Sequence, residues 1–153
     1  MAGQKRTGYV NGSDIVLLVN VAKSGAESYK VLLGAKQHKL SVKSNTKTIV
    51  DKDMGNPKFQ KKSVKTIDVS ISVDCFVKLS DDGISAQEIE DLLYEGAEVK
   101  LRYGFRKTQQ GDTYREGFFI IDSFEETSSA QEEMTFTASF SNSGEVKRVA
   151  ASV

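Results

Sequence analysis

Residues 64–79 read VKTIDVSISVDCFVKL. Ile67, Val69, Ile71, Val73, Cys75, Val77 and Leu79 fall on one side of an extended chain, and Asp68, Ser70, Ser72, Asp74 and Lys78 on the other. Only Phe76 breaks the alternation. A period of two held this long predicts a strand with one face in a core and the other in water. Ordinary strands have about five or six residues. At about 3.3 Å per residue, Thr66 to Leu79 spans roughly 45 Å. That is long for a chain of 153 residues. A long, flat strand also offers itself for pairing with another chain.

The flanks read as more strand. Asp14–Val21 (DIVLLVNV) and Tyr29–Lys36 (YKVLLGAK) are separated by a turn at residues 23–26 and predict a hairpin. Gln37–Lys43 continues extended, with Leu40 and Val42 alternating against polar neighbours. Ser44–Lys62 is polar, lysine-rich and holds the only proline, Pro57, so it reads as a long loop. Ser85-Ala86-Gln87-Glu88 has the spacing of a capping box ahead of one helix, whose stripe is Ala86, Ile89, Leu92 and Leu93 and whose end is Gly96. Ala97–Arg106, Tyr114–Phe124 and Met134–Ser141 then read as three further strands, with Gly104 as a bulge and residues 142–153 as a terminal arm opposite the short arm 1–13. The expectation is one mainly β domain. It is an antiparallel sandwich or partly open barrel closed by one helix. The expected core holds Ile67, Val69, Ile71, Val73, Ile89, Leu92, Leu93, Phe136 and Phe140.

A search for chemistry finds surfaces in place of a site. Lys plus Arg equals Asp plus Glu, 21 each, which argues against whole-molecule attraction to nucleic acid. The single cysteine, Cys75, lies on the apolar strand face and reads as a small buried hydrophobe. The single histidine, His38, stands between Gln37 and Lys39 and reads as a surface residue. One histidine leaves no multi-histidine metal centre. No phosphate-cradling glycine loop is present, and Asp51-Lys52-Asp53 fails the calcium-loop spacing because Lys62 stands where its glutamate belongs. No catalytic residue, metal ligand or cofactor is expected, and no membrane partner. No apolar run reaches the length of a membrane helix, and the start of the chain has no signal-peptide core. The basic side chains Lys100, Arg102, Arg106 and Lys107 are read on one strand face, away from Tyr103 and Phe105. That is the wrong arrangement for a base-stacking platform.

The order and spacing of these elements resemble the major tail tube protein of long-tailed bacteriophages, the siphophage major tail protein family. The resemblance runs nearly end to end. It takes in the opening strand Gly12–Val19, the segment Lys47–Asp53 before the long loop, and the long strand. It continues through the helix around Ile89, Leu92 and Leu93, the strand Ala97–Phe105 and the closing Thr135–Gly144. Many members carry a tryptophan before the long strand; here Phe59 stands at that place.

This resemblance implies a structural virion protein that polymerises as stacked hexameric rings into a tail tube through which the genome passes. It implies that Asp68, Ser70, Ser72 and Asp74, together with Thr135, Thr137, Ser139 and Ser141, face the lumen. The loop residues Lys47, Lys52, Asp53, Pro57, Lys58, Phe59, Lys61 and Lys62 reach neighbouring subunits. Implied partners are further copies of the chain, a tape measure protein, and tail tip and terminator proteins. DNA transits without specific binding, and the place is the virion tail, assembled in the host cytoplasm. Six subunits giving four strands each, about 4.8 Å apart and tilted about 40°, close a barrel roughly 45–50 Å across, which clears a duplex. The tube of a contractile tail or a related secretion or injection particle shares this architecture. A monomeric ligand-binding β-barrel is the alternative from another class.

Overall fold

The computed structural model describes residues 7–22, 25–50, 60–80, 82–109 and 111–150. A turn of 3-10 helix (Gly12–Asp14) leads into β1 (Ile15–Asn20), then β2 (Tyr29–Val31), β3 (Ala35–Ile49) and β4 (Lys61–Phe76). The single helix α1 (Ala86–Glu95) follows, and then β5 (Val99–Phe105), β6 (Thr113–Thr127) and β7 (Thr135–Ala150). All the strands join one antiparallel seven-stranded sheet in the order β2-β1-β5-β6-β7-β4-β3. The sheet curls. His38 on β3 meets Tyr103 on β5 edge to face, with centroids 6.1 Å apart, although three strands separate β3 from β5 in the sheet order. The edges β2 and β3 do not pair with each other, so the barrel stays open. The expected mainly β fold with one helix therefore holds.

The core lies inside the curl. Val69, Ile71, Val73 and Cys75 of β4 pack with Phe136, Ala138 and Phe140 of β7, Phe119 and Ile121 of β6, and Leu17 and Val19 of β1. Helix α1 closes this space with Ala86 and Ile89 buried, while Leu92 and Leu93 pack on its margin half-buried. Ser85 precedes the helix in an extended conformation and makes no side-chain cap, contrary to the capping box read from its spacing. It is itself buried, and the backbone carbonyl it offers to Ile89 starts the helix. At the other end Gly96 adopts the left-handed cap, φ 65°, and its N–H donates to Leu93. Gly34 turns the chain between β2 and β3 with φ 74°. A Cβ there would lie 2.3 Å from the Phe76 carbonyl oxygen, so only glycine fits. Gly104 is not a bulge: it keeps register with Val16, and its missing side chain admits Tyr114, whose Cβ would stand 2.7 Å away.

Four further expectations about the strands need correction. The long strand runs from Lys61 to Phe76, five residues earlier at its start and three at its end, and Leu79 lies exposed beyond it. The segment Ser44–Lys62 is not all loop. Ser44–Ile49 belongs to β3 and pairs with Ile67–Lys61 of β4. Backbone pairing across the two strands accounts for these polar residues as well as a loop does, and their composition carried no sign of it. Residues 51–59 lie outside the described residues, and with them Lys52, Asp53, Pro57, Lys58 and Phe59. The terminal arm is also shorter than expected. Asn142–Ala150 is the second half of β7, paired with β6 through Val146↔Gly117 to Ala150↔Thr113.

The fourth correction concerns Ile67, which is not core: it is 57% exposed. The β4–β7 ladder stops at Ser70↔Ser141. There β7 diverges, and the Val69 N–H donates to the Asn142 side chain at 3.0 Å in place of a backbone carbonyl. Beyond that point β3 and β4 run on as a two-stranded ribbon with no described residue packed beneath it. Ile67 keeps the right parity but has no layer to pack on.

Candidate functional site

The face of the sheet opposite the core is where the predicted site residues gather. Pairing puts Ser70 against Ser141, Ser72 against Ser139, Asp74 against Thr137 and Phe76 against Thr135. Directly paired residues of an antiparallel ladder share a face. The two sets read from separate parts of the sequence, Ser70–Asp74 on β4 and Thr137–Ser141 on β7, thus form one mainly polar surface, which Asp68 extends along β4 and which Phe76 and Ile120 interrupt at its margins.

Neighbouring strands widen it. On one side β3 adds Gln37, Lys39, Ser41, Lys43 and Asn45, opposite Asp74, Ser72, Ser70, Asp68 and Thr66. On the other side β6 adds Ser123 opposite Ser139 and Glu125 opposite Thr137. The wall is held by hydrogen bonds along and across these rows. Thr137 Oγ1 donates to Asp74 Oδ1 at 3.0 Å. Ser123 and Ser139 share a hydroxyl contact of 2.6 Å. Ser141 Oγ donates to the Asp122 carboxylate. Asn45 Nδ2 donates to Thr66 Oγ1 at 2.9 Å and to Asp68 Oδ2 at 2.7 Å. Side chains tied to each other in this way present few unsatisfied groups to solvent.

Sequence reading missed the lysines of this wall. Lys39 and Lys43 stand among the carboxylates Asp68, Asp74, Asp122 and Glu125, with Lys43 directly across from Asp68. The alternation of Leu40 and Val42 already placed Lys39 and Lys43 on a common face; what could not be read was which strand they would sit beside. The contribution of β6 was hidden for another reason. A bulge between Ile121 and Ser123 shifts the parity, so a strict period of two assigns Ser123 to the wrong side.

The basic residues of β5 have partners within the chain. Lys100 Nζ lies 2.5 Å from Glu27 and 2.7 Å from Glu116, and Arg102 lies 3.3 Å from Glu116 and 3.6 Å from Glu27. The Arg102 guanidinium also covers the Tyr29 ring at 3.9 Å and the Tyr114 ring at 4.9 Å. Hydrogen bonding to Lys100 holds the Glu27 carboxyl below its usual range, and Glu116 and Glu27 hold Lys100 above its own. Two cations matched to two carboxylates leave little net field for a phosphate.

Two lone residues complete the survey. Cys75 is fully buried, and burial pushes its thiol up to about 12, so it packs as a hydrophobe. His38 is not the surface residue its neighbours suggested. It is half-buried, burial lowers its pKa, and its Nε2 has no hydrogen-bond partner among the described residues. It contributes to a cavity of about 510 Å³ with Lys36, Phe76 and Arg106. Among the described residues, no group of three His, Cys, Asp or Glu is placed to hold a metal, and no helix is long and apolar enough to cross a membrane.

A family model described as phage tail tube protein matches residues 9–148. The chain belongs to the phage tail tube protein family. It is a structural tail protein, as the order of its elements led us to expect. Solved structures share its fold. It is similar to a chain in the tail of an empty gene transfer agent particle computed with C6 symmetry. The TM-score is 0.76 and the identity 15%, over 93% of this chain and 100% of that one. It is similar to a chain of the SPP1 tail tube, with a TM-score of 0.72 and 15% identity over 94% of this chain and 80% of that one. A chain of the anti-feeding prophage baseplate matches with a TM-score of 0.64 and 7% identity, over 95% of this chain and 97% of that one. No curated protein matches in sequence.

Proposed function

We propose that this phage tail tube protein assembles as hexameric rings stacked into a tube, with the polar wall of β3, β4, β7 and β6 facing the lumen and the genome passing along it. The observation that carries this reading is the wall itself. Ser70, Ser72 and Asp74 meet Ser141, Ser139 and Thr137 on one face, opposite the core, and Asp68 extends it beside Lys43 of β3, in a sheet whose edge strand β3 is 15 residues long and open on one side. An open edge of that length continues into the next subunit by the same hydrogen bonding that joins its own strands. Hydroxyls and carboxylates, with the few lysines facing carboxylates, give DNA a wetted surface and little to grip.

The C6 symmetry of the gene transfer agent tail supports six copies per ring. Tape measure, tip and terminator proteins are the partners such a tube requires at its lumen and ends, and assembly takes place in the host cytoplasm. The protein acts as a wall and not as a catalyst. The tube of a contractile or injection particle is the second reading, favoured by the anti-feeding prophage match, whose TM-score is lower than those of the gene transfer agent and SPP1 tails.

Negative-stain electron microscopy of the purified protein, with light scattering on the same sample, tests the proposal. Hollow tubes or stacked rings are expected. A monomer of 16.8 kDa at every concentration and with every nucleating complex would refute it.

A further inference from the structure

The cavity of about 510 Å³ lies between β1 and the turn that joins the two edge strands, β2 and β3. Three cationic side chains line it: Lys36 on β3, Lys78 just past β4 and Arg106 just past β5. They are far apart in the chain, and backbone hydrogen bonds fix the approach of each. The Phe76 N–H donates to the Gly34 carbonyl at 2.8 Å, the Val77 N–H to Met134 at 2.8 Å and the Arg106 N–H to Asp14 at 2.7 Å. Lys36 Nζ stands 4.6 Å from the centre of the Phe76 ring. None of the described residues that line the cavity is Asp or Glu. None of the three cations makes an ion pair with another described residue, whereas Lys100 and Arg102 of β5 are matched to carboxylates. Charges of one sign gathered in a concave wall repel one another and focus their field on whatever enters.

His38 of β3 lines the same cavity. Its Nε2 is closed off from solvent and unpartnered among the described residues, and its ring meets Tyr103 edge to face. Burial lowers its pKa and so favours the neutral ring. A negative group beside it acts the other way and favours the imidazolium. We propose that this cavity is an anion site, which takes one carboxylate or phosphate group between Lys36, Lys78 and Arg106. Arg106 offers the paired N–H groups that fit either ligand, and the two lysines add compact charges. The ligand is a free anion or an acidic side chain of a second copy of the chain; the recognising chemistry is the same. The wall residues Ser70, Ser72 and Asp74 do not line the cavity, so the site is separate from the surface assigned to DNA passage. It belongs to the single subunit and stands without the tube reading.

His38 is the only histidine of the chain, so its imidazole signals report on the site without ambiguity. Proton NMR of the full-length subunit at pH 7 follows them while sodium phosphate replaces sodium chloride at constant ionic strength. A saturable change is expected, and a pH titration should show the ring's pKa higher in phosphate than in chloride. Arg106→Gln and Lys78→Gln change exposed side chains, so circular dichroism should not move. Each should raise the half-saturating phosphate concentration roughly tenfold, as the loss of one charge-assisted hydrogen bond does. Lys65→Gln, exposed and away from the cavity, should leave it unchanged. Tubes formed in chloride alone, read by solid-state NMR of 15N-labelled histidine, separate the two sources. A ring protonated at a pH where the free subunit's ring is neutral identifies a carboxylate of a neighbouring copy. A ring that changes only when phosphate is added identifies a free anion. A linear drift with phosphate, or a change that Lys65→Gln weakens as much as Arg106→Gln, overturns the site if the ring in chloride tubes also matches that of the free subunit. A chain that forms no tubes overturns the tube reading and leaves the subunit titration to decide the site.

Discussion

Asp74 and Thr137 face each other across the β4–β7 ladder and share a hydrogen bond of 3.0 Å. At this scale the wall is a set of paired side chains, and changing one changes what the surface offers to DNA. Asp68→Lys combined with Asp74→Lys replaces two carboxylates by two cations on an exposed face, so the fold should hold. Open tubes of this variant should retain duplex in a salt-dependent manner, where wild-type tubes let it sediment freely; co-sedimentation at two ionic strengths measures this. Beneath the wall, Phe140 is completely buried. Phe140→Ala should lower stability by about 3–5 kcal/mol in urea unfolding, since the cavity cannot collapse between β4 and β6. Cys75 predicts a pH effect. Its thiol is pushed from 9.0 up to about 12 by burial, so the folded state keeps the proton that the unfolded state releases. Its stabilising contribution is full below pH 9 and declines as pH rises toward 12. Thiol reagents at pH 8 should label it only after unfolding.

Strand β4 is one element with two environments. Val69–Cys75 has β7 on one side, β3 on the other and the core below; Lys61–Thr66 has β3 alone. A two-stranded ribbon without a packed face is marginal by itself. Hydrogen exchange on the free subunit should therefore show slow amides in 70–75 and fast ones in 61–67, and exchange in assembled tubes should slow the second set. Helix α1 is anchored by Ala86 and Ile89 and ended by Gly96. Gly96→Ala forces a side chain into the left-handed region and should cost about 1 kcal/mol. Gly34→Ala should cost more, because its Cβ also meets a backbone oxygen.

For the whole molecule, what matters is that the sheet curls without closing. Its interior is filled by its own core, so the faces left for function are the polar wall, the open edge of β3 and the projecting ribbon. Equal numbers of acidic and basic residues, 21 each, hide an uneven distribution: lysines on the ribbon, carboxylates around α1, matched pairs on β5. Contacts between copies that carry such patches weaken with salt. Raising ionic strength from about 0.1 to 1 M shortens the screening length from about 10 to 3 Å. The protein concentration at which scattering reports tubes should rise accordingly, less steeply than for a contact made of charge alone, because apolar burial does not screen.

The alternation in residues 64–79 and 134–141 was enough to determine the β class, the buried set Val69, Ile71, Val73, Phe136 and Phe140, and the two halves of the polar wall. Periodicity is a local property, and it fixes which side chains share a face. It carries no information on whether another layer lies against that face. That is why Ile67, in perfect phase with Val69, proved exposed, and why His38, among polar neighbours, proved half-buried against Tyr103. Pairing between distant strands decided the rest. It turned Ser44–Ile49 from loop to strand, set Lys39 and Lys43 beside the carboxylates of β4, and gave Lys100 and Arg102 their partners Glu27 and Glu116. Each of these depends on a register between segments far apart in the chain, which only the folded sheet fixes.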